Sequence, residues 1–467
     1  MKRTANQQKF DALRQEFSTF TFVKQTVTLA NGTLSLAFDF SLDDRYHFCP
    51  TLEIPSRPFF DWDSIPEAQL ASIAFQIGMT ELVSYWKIAC PKRVVVRPFA
   101  LTESQKAFWK KLYYNGLGEF LYLNGITVSE SDLMEIESVE GIDTLAAQPM
   151  SYPSDEALFQ PAHVIPSDEG ARVSMGNSSW FEEKVLVPVG GGKDSVVTLE
   201  CLRKEMPVIP LIVNPRGATL NCVKTAGYDE NELIVINRTL DPTMLKLNAE
   251  GYLNGHTPFS ALLAFISVLV AFGSRSRYIA LSNENSANES TVPGTNINHQ
   301  YSKSIEFERD FRNYVAENLS DDVQYFSFLR PLSELQIAKL FSTCVAYHPV
   351  FRSCNVGSKT DSWCGHCPKC LFTWLILSPF LSKEQLMAIF GKDLMADESL
   401  RPIYEELNGT AAVKPFECVG TVEEVRACAK AVESHDFTDV NAILNRFNKE
   451  HFLPEKFEQI LKSRLYV

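Results

Sequence analysis

The chain has 467 residues, 44 Lys and Arg against 57 Asp and Glu, and a formal charge of −13. This acidic balance, with no dense basic block, argues against a nucleic-acid partner. Residues 1–17 lack a signal-peptide core and the longest apolar run, Phe259 to Phe272, is too short to cross a bilayer, so we expect a cytoplasmic protein without a membrane partner. The scattered cysteines do not indicate a secreted disulfide framework.

The first predicted element is a β-hairpin, because Phe20 to Phe40 alternates apolar and polar residues around Asn31-Gly32. Capping-box spacing at Ser64 to Glu67 and at Thr102 to Gln105 predicts two helix starts, the first helix reaching about Ile88. Residues 1–178 are therefore predicted to form an α+β amino-terminal domain. The Pro-, Ser- and Asp-rich stretch Val139 to Ser179, at the end of this region, is predicted to be a linker or surface segment.

From Val185 onward, short apolar runs alternate with helical patterns, which predicts a doubly wound α/β domain with a parallel sheet over residues 179–345. The predicted later strands are Val208 to Val213, Leu233 to Ile236, Tyr278 to Leu281 and Tyr325 to Leu329. Ligands of such sheets bind outside the carboxyl ends of the strands. Polar tails that begin with Asn214 and Ser282 follow two of these strands, although the stretch Ser282 to Glu289 is equally compatible with a solvated loop.

The most informative stretch is Val185 to Ser195, an apolar run that ends in Gly190-Gly191-Gly192-Lys193-Asp194-Ser195 before a predicted helix from Val196 to Lys204. Glycines let a backbone approach an anion, and the free N–H groups at a helix start point toward it. The spacing matches neither the Walker loop nor the dinucleotide fingerprint. It resembles the pyrophosphate-binding loop (PP-loop) of ATP pyrophosphatases, with Gly190 in place of the usual first serine. The alternative is a purely structural glycine turn.

A cysteine cluster follows the predicted sheet. Cys354, Cys364, Cys367 and Cys370 include two C-x2-C steps that share Cys367, a pattern that can place four thiolates around zinc. Deazaguanine nitrile synthases carry a similar cluster. Reduced structural thiols are the alternative. The remainder of residues 346–467 is predicted to be a helical carboxy-terminal region, with capping-box spacing at Ser382 to Gln385 and at Thr421 to Glu424.

Four further residues are candidates for acid-base work: Glu284, His299, Lys303 and Cys418. Each is placed in a predicted loop or near a helix start, but no spacing pairs them. A thiol before a helix start can have a lowered pKa, although a half-buried structural cysteine is the commoner case. His256 is interpreted as a structural hydrogen-bonding histidine.

Four motifs together carry a family resemblance: Pro188 to Ser195, Ser282 to Ala287, Asn298 to Lys303 and Trp363 to Cys370. They resemble the bacterial UDP-N-acetylmuramoyl-L-alanyl-L-glutamate epimerases of the MurL family, which belong to the PP-loop superfamily. The resemblance implies an isomerase of peptidoglycan precursor synthesis that uses ATP and Mg²⁺ and releases AMP and diphosphate. Its substrate is then a UDP-linked muramoyl dipeptide.

The expected nucleotide-binding residues are Gly190, Gly191, Gly192, Lys193, Asp194, Ser195, Asn214 and Ser282. The expected catalytic residues are Lys193, Asp194, Glu284, His299, Lys303 and Cys418. Two alternatives stay open at the level of sequence: another PP-loop enzyme that forms an amide or nitrile from a small carboxylic acid, and a nucleotide sensor without chemistry. The sequence does not indicate an oligomeric state.

Overall fold

The structure is a computed structural model that describes residues 4–138, 180–292 and 294–465. The predicted linker from Val139 to Ser179 lies outside the described residues. The strands are β1 (Thr19–Ala30), β2 (Thr33–Leu42), β3 (Tyr46–Phe48), β4 (Thr51–Pro55), β5 (Arg93–Val96), β6 (Glu135–Ser138), β7 (Glu182–Pro188), β8 (Val208–Val213), β9 (Ile234–Thr239), β10 (Ser276–Leu281) and β11 (Gln324–Ser327).

The helices of the amino-terminal region and the central sheet are α1 (Gln7–Glu16), α2 (Glu67–Trp86), α3 (Glu103–Gly116), α4 (Gly118–Asn124), α5 (Glu130–Leu133), α6 (Lys193–Leu202), α7 (Gly217–Thr225), α8 (Pro242–Ala249), α9 (Phe259–Ser274), α10 (Ile305–Asn318) and α11 (Glu334–Ser342). The carboxy-terminal region is helical, as predicted, with α12 (Pro368–Leu377), α13 (Lys383–Phe390), α14 (Arg401–Leu407), α15 (Val422–Ser434), α16 (Thr438–Leu444) and α17 (Glu455–Leu465). None of the helices in the described ranges has the length and apolar character needed to span a membrane.

Five parallel strands form the half of the sheet that carries the glycine loop. Their spatial order is β9, β8, β7, β10, β11, so the order reverses between β7 and β10. The predicted parallel α/β arrangement is therefore confirmed. A reversal of this kind leaves a crevice at the carboxyl ends of the two central strands, because the connections leave in opposite directions.

The amino-terminal strands extend the same sheet. The predicted hairpin forms with Asn31 (φ 51°) and Gly32 (φ 70°) as its two turn residues, both in the left-handed region that such a turn requires. Strand β4 pairs with β2 on one side and, antiparallel, with β9 on the other. In the described residues, eleven strands thus form one continuous sheet.

Two hydrophobic cores cover the two faces of the parallel half of the sheet. In β7, the side chains of Val185 and Val187 lie in one core and that of Leu186 lies in the other. Helices α6, α11 and α17 contribute to the first core, and helices α2 and α9 to the second. Burial on both faces explains why the strands of the parallel half read as continuous apolar runs.

Most of the predicted helix starts are present. Capping boxes form at Thr102, Ser382 and Thr421. The capping box predicted at Ser64 is wrong, since α2 begins at Glu67 and Pro66 occupies the N-cap position without a side-chain cap. A residue that precedes proline is disfavoured in the helical conformation, so Ile65 cannot form the first turn that a cap at Ser64 would need.

Candidate active site

The glycine loop lies at the carboxyl end of β7, in the crevice where the strand order reverses. The N-cap residue of α6 is Gly192, and within the described chain no side chain caps this helix, so its first N–H groups remain free for a ligand. Gly191 has a φ of +81°, and a Cβ there would stand 3.0 Å from the backbone of Ala218. A Cβ on Gly190 would meet none of the described residues within 4 Å. The loop is thus packed behind Gly191 and open at Gly190.

A buried ion cluster stands at the start of α6. The ammonium of Lys193, whose side chain is 3% exposed, contacts the carboxylates of Asp194 and Glu334. Burial would lower the pKa of Lys193, but the two carboxylates outweigh burial and raise this pKa. Burial raises the pKa of Glu334. Lys193 is therefore a permanent cation beside the loop, and Asp194, with 32% of its side chain exposed, faces outward from it.

The other predicted nucleotide-binding residues lie in different surroundings. The hydroxyl of Ser282, just after β10, is buried and has no hydrogen-bond partner among the described residues. A buried hydroxyl without a partner is unfavourable unless a ligand or water completes it, so Ser282 fits a binding role. The Ser195 hydroxyl donates to the carbonyl of Gly192 at 3.0 Å. The side-chain oxygen of Asn214 already accepts the N–H of Arg238 at 2.7 Å, so this side chain is partly committed to holding β9.

Arg330 joins the loop after β10 to the turn that carries Lys303. Its guanidinium is fully buried and donates to the carbonyl of Glu284 at 2.6 Å and to the carbonyl of Lys303. It also pairs with the buried carboxylate of Glu308 at 3.2 Å. The Glu284 carboxylate accepts the hydroxyl of Ser286 at 3.0 Å. One arginine thereby fixes the backbones that present two of the predicted catalytic residues.

Cys418 lies in the loop before α15 and contacts two other predicted catalytic residues. The ammonium nitrogen of Lys303 is 3.1 Å from its sulfur, and His299 hydrogen-bonds the same sulfur. The sulfur also lies near the cation of Lys369. Burial would raise the pKa of Cys418, but Lys303, Lys369 and His299 outweigh burial and lower this pKa to about 5. The cations that lower this pKa belong to segments far from Cys418 in the chain.

His299 is held on its other side by a carboxylate. Its Nδ1 lies 2.5 Å from Oε2 of Glu119, a buried residue of α4. Burial would lower the pKa of His299, but Cys418 and Glu119 outweigh burial and raise this pKa to about 9. For Lys303, burial opposes the charges of Cys418 and Glu284, and the net effect raises its pKa. Near neutral pH the group is therefore a thiolate flanked by an imidazolium and an ammonium.

His256 completes this group as a neutral neighbour. Its ring stands 4.6 Å from the ring of His299, and its Nδ1 is 3.5 Å from Glu119. Burial and the neighbouring His299 lower the pKa of His256 to about 4. Glu119, His256 and His299 lie close enough to consider a shared metal ion. However, two ligands about 2.1 Å from one ion stand roughly 3 Å apart, so the 2.5 Å contact is a hydrogen bond instead.

A cavity of about 580 Å³ opens beside this group. It is lined by Glu119, Phe120, Asn124, Asn254, His256, His299, Asn355, Phe416 and Glu417, with Thr4, Leu123 and Gly255. Its walls combine amide groups, two carboxylates and two aromatic rings, which suits a polar ligand of substantial size. The two residues that precede Cys418 form part of the wall, so a ligand in the cavity lies next to this loop.

The four cysteines of the predicted metal site converge. The sulfur-to-sulfur distances are 3.7 Å for Cys354 to Cys367, 3.7 Å for Cys364 to Cys370 and 3.5 Å for Cys367 to Cys370. Four sulfurs about 2.3 Å from a central zinc ion stand about 3.8 Å from one another. The cluster therefore fits tetrahedral zinc.

The cysteine cluster and the glycine loop are adjacent. The N–H of Arg352 donates to the carbonyl of Gly191 at 2.8 Å, and the hydroxyl of Ser353 would stand 2.8 Å from a Cβ on Gly192. Cys354 follows directly. At the other end of the cluster, the charge of Lys369 helps to lower the pKa of Cys418. The cysteines thus hold segments that touch both groups of predicted site residues.

Several site residues were not predicted: Glu119, Arg330, Glu334 and Lys369. Ser333 to Gln336 has capping-box spacing, and the box forms, so the sequence does contain a signal for Glu334 in the first turn of α11. Lys369 lies inside the predicted cysteine motif. Arg330 directly follows the predicted strand Tyr325 to Leu329. No local pattern marks Glu119, because its role depends on His299, 180 residues away.

Comparisons with known proteins agree with the four motifs. A family model described as the MurL N-terminal domain matches residues 11–328, and one described as the MurL C-terminal domain matches residues 350–459. A protein of Micromonospora sp. named UDP-N-acetyl-alpha-D-muramoyl-L-alanyl-L-glutamate epimerase is 34% identical over 437 residues, covering 91% of this chain and 89% of that protein.

Two further relatives carry the same name. The protein of Salinispora tropica is 34% identical over 417 residues, which cover 87% of this chain and 82% of that protein. The protein of Xanthomonas oryzae pv. oryzae is 32% identical over 450 residues, which cover 94% of this chain and 90% of that protein. Together with the two domain matches, these relatives show that the chain belongs to the MurL family.

Proposed function

We propose that this protein is an ATP-dependent epimerase that inverts the terminal L-glutamate of UDP-N-acetylmuramoyl-L-alanyl-L-glutamate. In this proposal the glutamate is first converted to an acyl-adenylate, and the products besides the D-glutamyl compound are AMP and diphosphate. The names of the relatives support the substrate. The nucleotide chemistry is our inference from the site, and with it the assignment of the parallel half of the sheet to the PP-loop type.

The observation that carries the nucleotide chemistry is the open glycine loop in the crevice between β7 and β10. Three features support a triphosphate there: the uncapped start of α6, the open space at Gly190 and the unpartnered hydroxyl of Ser282. Lys193 adds a buried cation, which neutralises part of the phosphate charge. In an adenylating enzyme, such a loop holds the leaving diphosphate in line while the carboxylate oxygen attacks the α-phosphorus.

The residues also fit a magnesium ion, which prefers oxygen ligands and shares them with phosphates. Asp194 would hold it, since its carboxylate is partly exposed at the mouth of the loop. A bound magnesium ion would offset the charge of the leaving diphosphate. The chain's own contribution is to orient Asp194 through its contact with Lys193 and to keep Lys193 charged through Glu334.

Adenylation makes the inversion chemically accessible. The proton on the carbon beside a free carboxylate is only very weakly acidic, because its loss produces a multiply charged enolate. A mixed anhydride removes that penalty, so a positioned side chain can take the proton. The second group of site residues, with Glu284, His299, Lys303 and Cys418, supplies the candidates for proton transfer. Water then releases AMP.

We also propose that Cys354, Cys364, Cys367 and Cys370 hold one structural zinc ion. The tetrahedral spacing of their sulfurs supports this proposal. Four cysteines leave no open position, so the ion would have no role in catalysis. Its contribution would be to hold the segment from Arg352 to Cys354 against the glycine loop.

The proposed function is tested by incubating the protein with ATP, Mg²⁺ and UDP-N-acetylmuramoyl-L-alanyl-L-glutamate in heavy water. We expect AMP, diphosphate and D-glutamate with deuterium at its α-carbon, and no inversion when ATP is omitted. Inversion without ATP would contradict the role given to the glycine loop. If AMP forms without deuterium incorporation, and an amide product appears once ammonia is added, the protein is an amide-forming synthetase. Binding of ATP without any AMP would indicate a sensor.

A further inference from the structure

We propose that the sulfur of Cys418 is the base that takes the α-proton of the activated glutamate. Lys303 offsets the charge that develops in this step, and Glu119 positions His299 beside the sulfur. This inference rests on the proposed function and assigns the proton-transfer residue within it. It makes Cys418 a catalytic residue, because its sulfur touches the reacting atom. Glu119 acts through His299 and is a positioning residue.

The geometry around the sulfur carries this assignment. Cys418 is only partly buried, in contrast to the fully buried Cys428 of the following helix. Its sulfur receives the Lys303 ammonium at 3.1 Å and the imidazole of His299, whose far side is fixed by Glu119 at 2.5 Å. Three distant parts of the chain, in α4, in the turn at Lys303 and before α15, thus converge on one sulfur.

The other three candidates are less suited to accept a proton. His299 has its Nδ1 bound to Glu119, and its raised pKa keeps it protonated near neutral pH. Lys303 is likewise protonated, since its pKa is raised by the charges of Cys418 and Glu284. Glu284 is buried, with 5% of the residue exposed, and its carboxylate accepts a hydrogen bond from Ser286. Cys418 alone among the four combines a partly buried position with a pKa low enough to keep it deprotonated near neutral pH.

Two neighbouring sites place the substrate beside this sulfur. The cavity of about 580 Å³ is lined by His299 and by Phe416 and Glu417, the two residues before Cys418. On the nucleotide side, Asp194 of the glycine loop is close enough to act on the charge of Lys303. An acyl-adenylate with its phosphate at the glycine loop and its glutamyl part in the cavity would therefore lie next to the sulfur of Cys418.

The proton transfer balances without any further reagent. The electron pair of the α-carbon's C–H bond moves to the acyl oxygen, and the proton forms an S–H bond with Cys418. The ammonium of Lys303, next to the sulfur, offsets the negative charge that develops on the oxygen. A solvent-derived proton then adds to the opposite face of the carbon, and the thiol returns its proton to solvent. No bond forms between sulfur and carbon.

The deciding experiment separates the two half-reactions in Cys418→Ala. Removing the base should lower deuterium incorporation at the α-carbon at least about a hundredfold, the usual range for a general base, while ATP-dependent AMP formation falls less than about tenfold. Cys49→Ala, which removes an exposed cysteine of the amino-terminal region, should change neither rate. If deuterium incorporation in Cys418→Ala stays within tenfold of the unmodified protein, the assignment is wrong.

Two further measurements cover the remaining outcomes. If Cys418→Ala does not fold, Cys418→Ser is measured with the same readouts and must show the same selective loss of exchange. In the unmodified protein, iodoacetamide at pH 6.5 should alkylate Cys418 before Cys49, whose thiol pKa is raised to about 11 by burial and by Asp39. A glutamyl thioester detected on Cys418 by mass spectrometry would show a nucleophile and overturn the assignment as a base.

The positioning role of Glu119 is tested by a separate measurement. Glu119→Gln should shift the pH at which exchange declines on the alkaline side downward, because His299 loses the carboxylate that supports its charge. A purely structural role would reduce both half-reactions together and leave that pH unchanged. Absence of AMP in the unmodified protein would instead contradict the proposed function itself, which keeps the two failures distinct.

Discussion

The two groups of site residues are built in opposite ways. The nucleotide group is mostly local: Gly190 to Ser195 are consecutive, and Glu334 and Ser282 come from elsewhere in the chain. The group around Cys418 is assembled from α4, the turn at Lys303 and the loop before α15. Consecutive residues at a strand end acquire their geometry as soon as the strand and helix form. The Cys418 group exists only when distant parts of the chain have packed, so its chemistry is invisible to spacing.

Removal of the proposed zinc should affect both groups and have the largest effect. Structural zinc sites contribute on the order of 10 kcal/mol to the folding of the segments they close. We expect Cys367→Ser to contain less than half an equivalent of zinc by elemental analysis and to lose both AMP formation and α-proton exchange. Cys344→Ser, at a cysteine outside the cluster, should retain about one equivalent of zinc. Full stability of Cys367→Ser would favour plain thiols.

The next largest effect is expected for Arg330→Met. This change removes a fully buried guanidinium. It leaves the carboxylate of Glu308 without its ion-pair partner and two loop carbonyls without their donor. Breaking a buried ion pair costs about 3–5 kcal/mol, which urea unfolding will measure. Arg309→Met is the matched control, because its pair with Glu450 is exposed and contributes about 0–1 kcal/mol. Equal destabilisation by the two changes would contradict this account of Arg330.

Asp194→Asn should act mainly on the nucleotide group and lower the rate of AMP formation. It keeps the size of the side chain and removes the charge that contacts Lys193 and that would hold magnesium. Loss of one such contact in a transition state costs about 2.7–4 kcal/mol, so AMP formation should fall roughly a hundred- to a thousandfold. Glu230→Gln, at an exposed carboxylate of the same half, should leave the rate unchanged. A wild-type rate of AMP release in Asp194→Asn would contradict the assignment of the glycine loop to ATP and magnesium.

The smallest effect, a pH dependence, should mark the Cys418 group alone. The pKa of Cys418 is lowered to about 5, so its thiolate is present above that pH and is lost as pH falls through it. The pKa of His299 is raised to about 9, so its charge is present below that pH and is lost as pH rises through it. Deuterium exchange should therefore be flat from about pH 6 to 8 and decline outside this range by about tenfold per pH unit.

Measuring AMP formation over the same range gives the control. Lys193 has a raised pKa and stays charged throughout, so AMP formation should not follow the two limits set by Cys418 and His299. Identical pH profiles for the two half-reactions would indicate that one ionisation governs both. The nucleotide group and the Cys418 group would then not govern separate half-reactions.

Much of the fold could be predicted from sequence because its signals are local. The five parallel strands, the hairpin at Asn31-Gly32 and most helix starts follow from apolar runs, turn residues and caps. The capping box at Ser64 is the instructive error, since the local signal there conflicts with the proline that follows Ile65. The pairing of β4 with β9 could not be predicted, because two antiparallel edges with about 180 residues between them carry no shared pattern.

The same distinction between local and distant signals decides which site residues could be predicted. The glycine loop and the four cysteines could be predicted because their spacing alone restricts their geometry. Cys418, His299 and Lys303 could be proposed only as separate candidates. What joins them is the carboxylate of Glu119 and the clamp of Arg330, and both depend on tertiary packing. Even the cause of the lowered Cys418 pKa lies in residues far along the chain.

The junction between β4 and β9 has a consequence for how the protein can be produced. A fragment that begins at residue 180 would keep the glycine loop but lose β4, leaving Asn237, Arg238 and Thr239 on an uncovered strand edge. Such an edge offers unpaired N–H and C=O groups to any other extended chain and promotes self-association. We therefore expect the isolated nucleotide-binding half to aggregate on expression, and co-expression of residues 1–138 as a second polypeptide to restore its solubility.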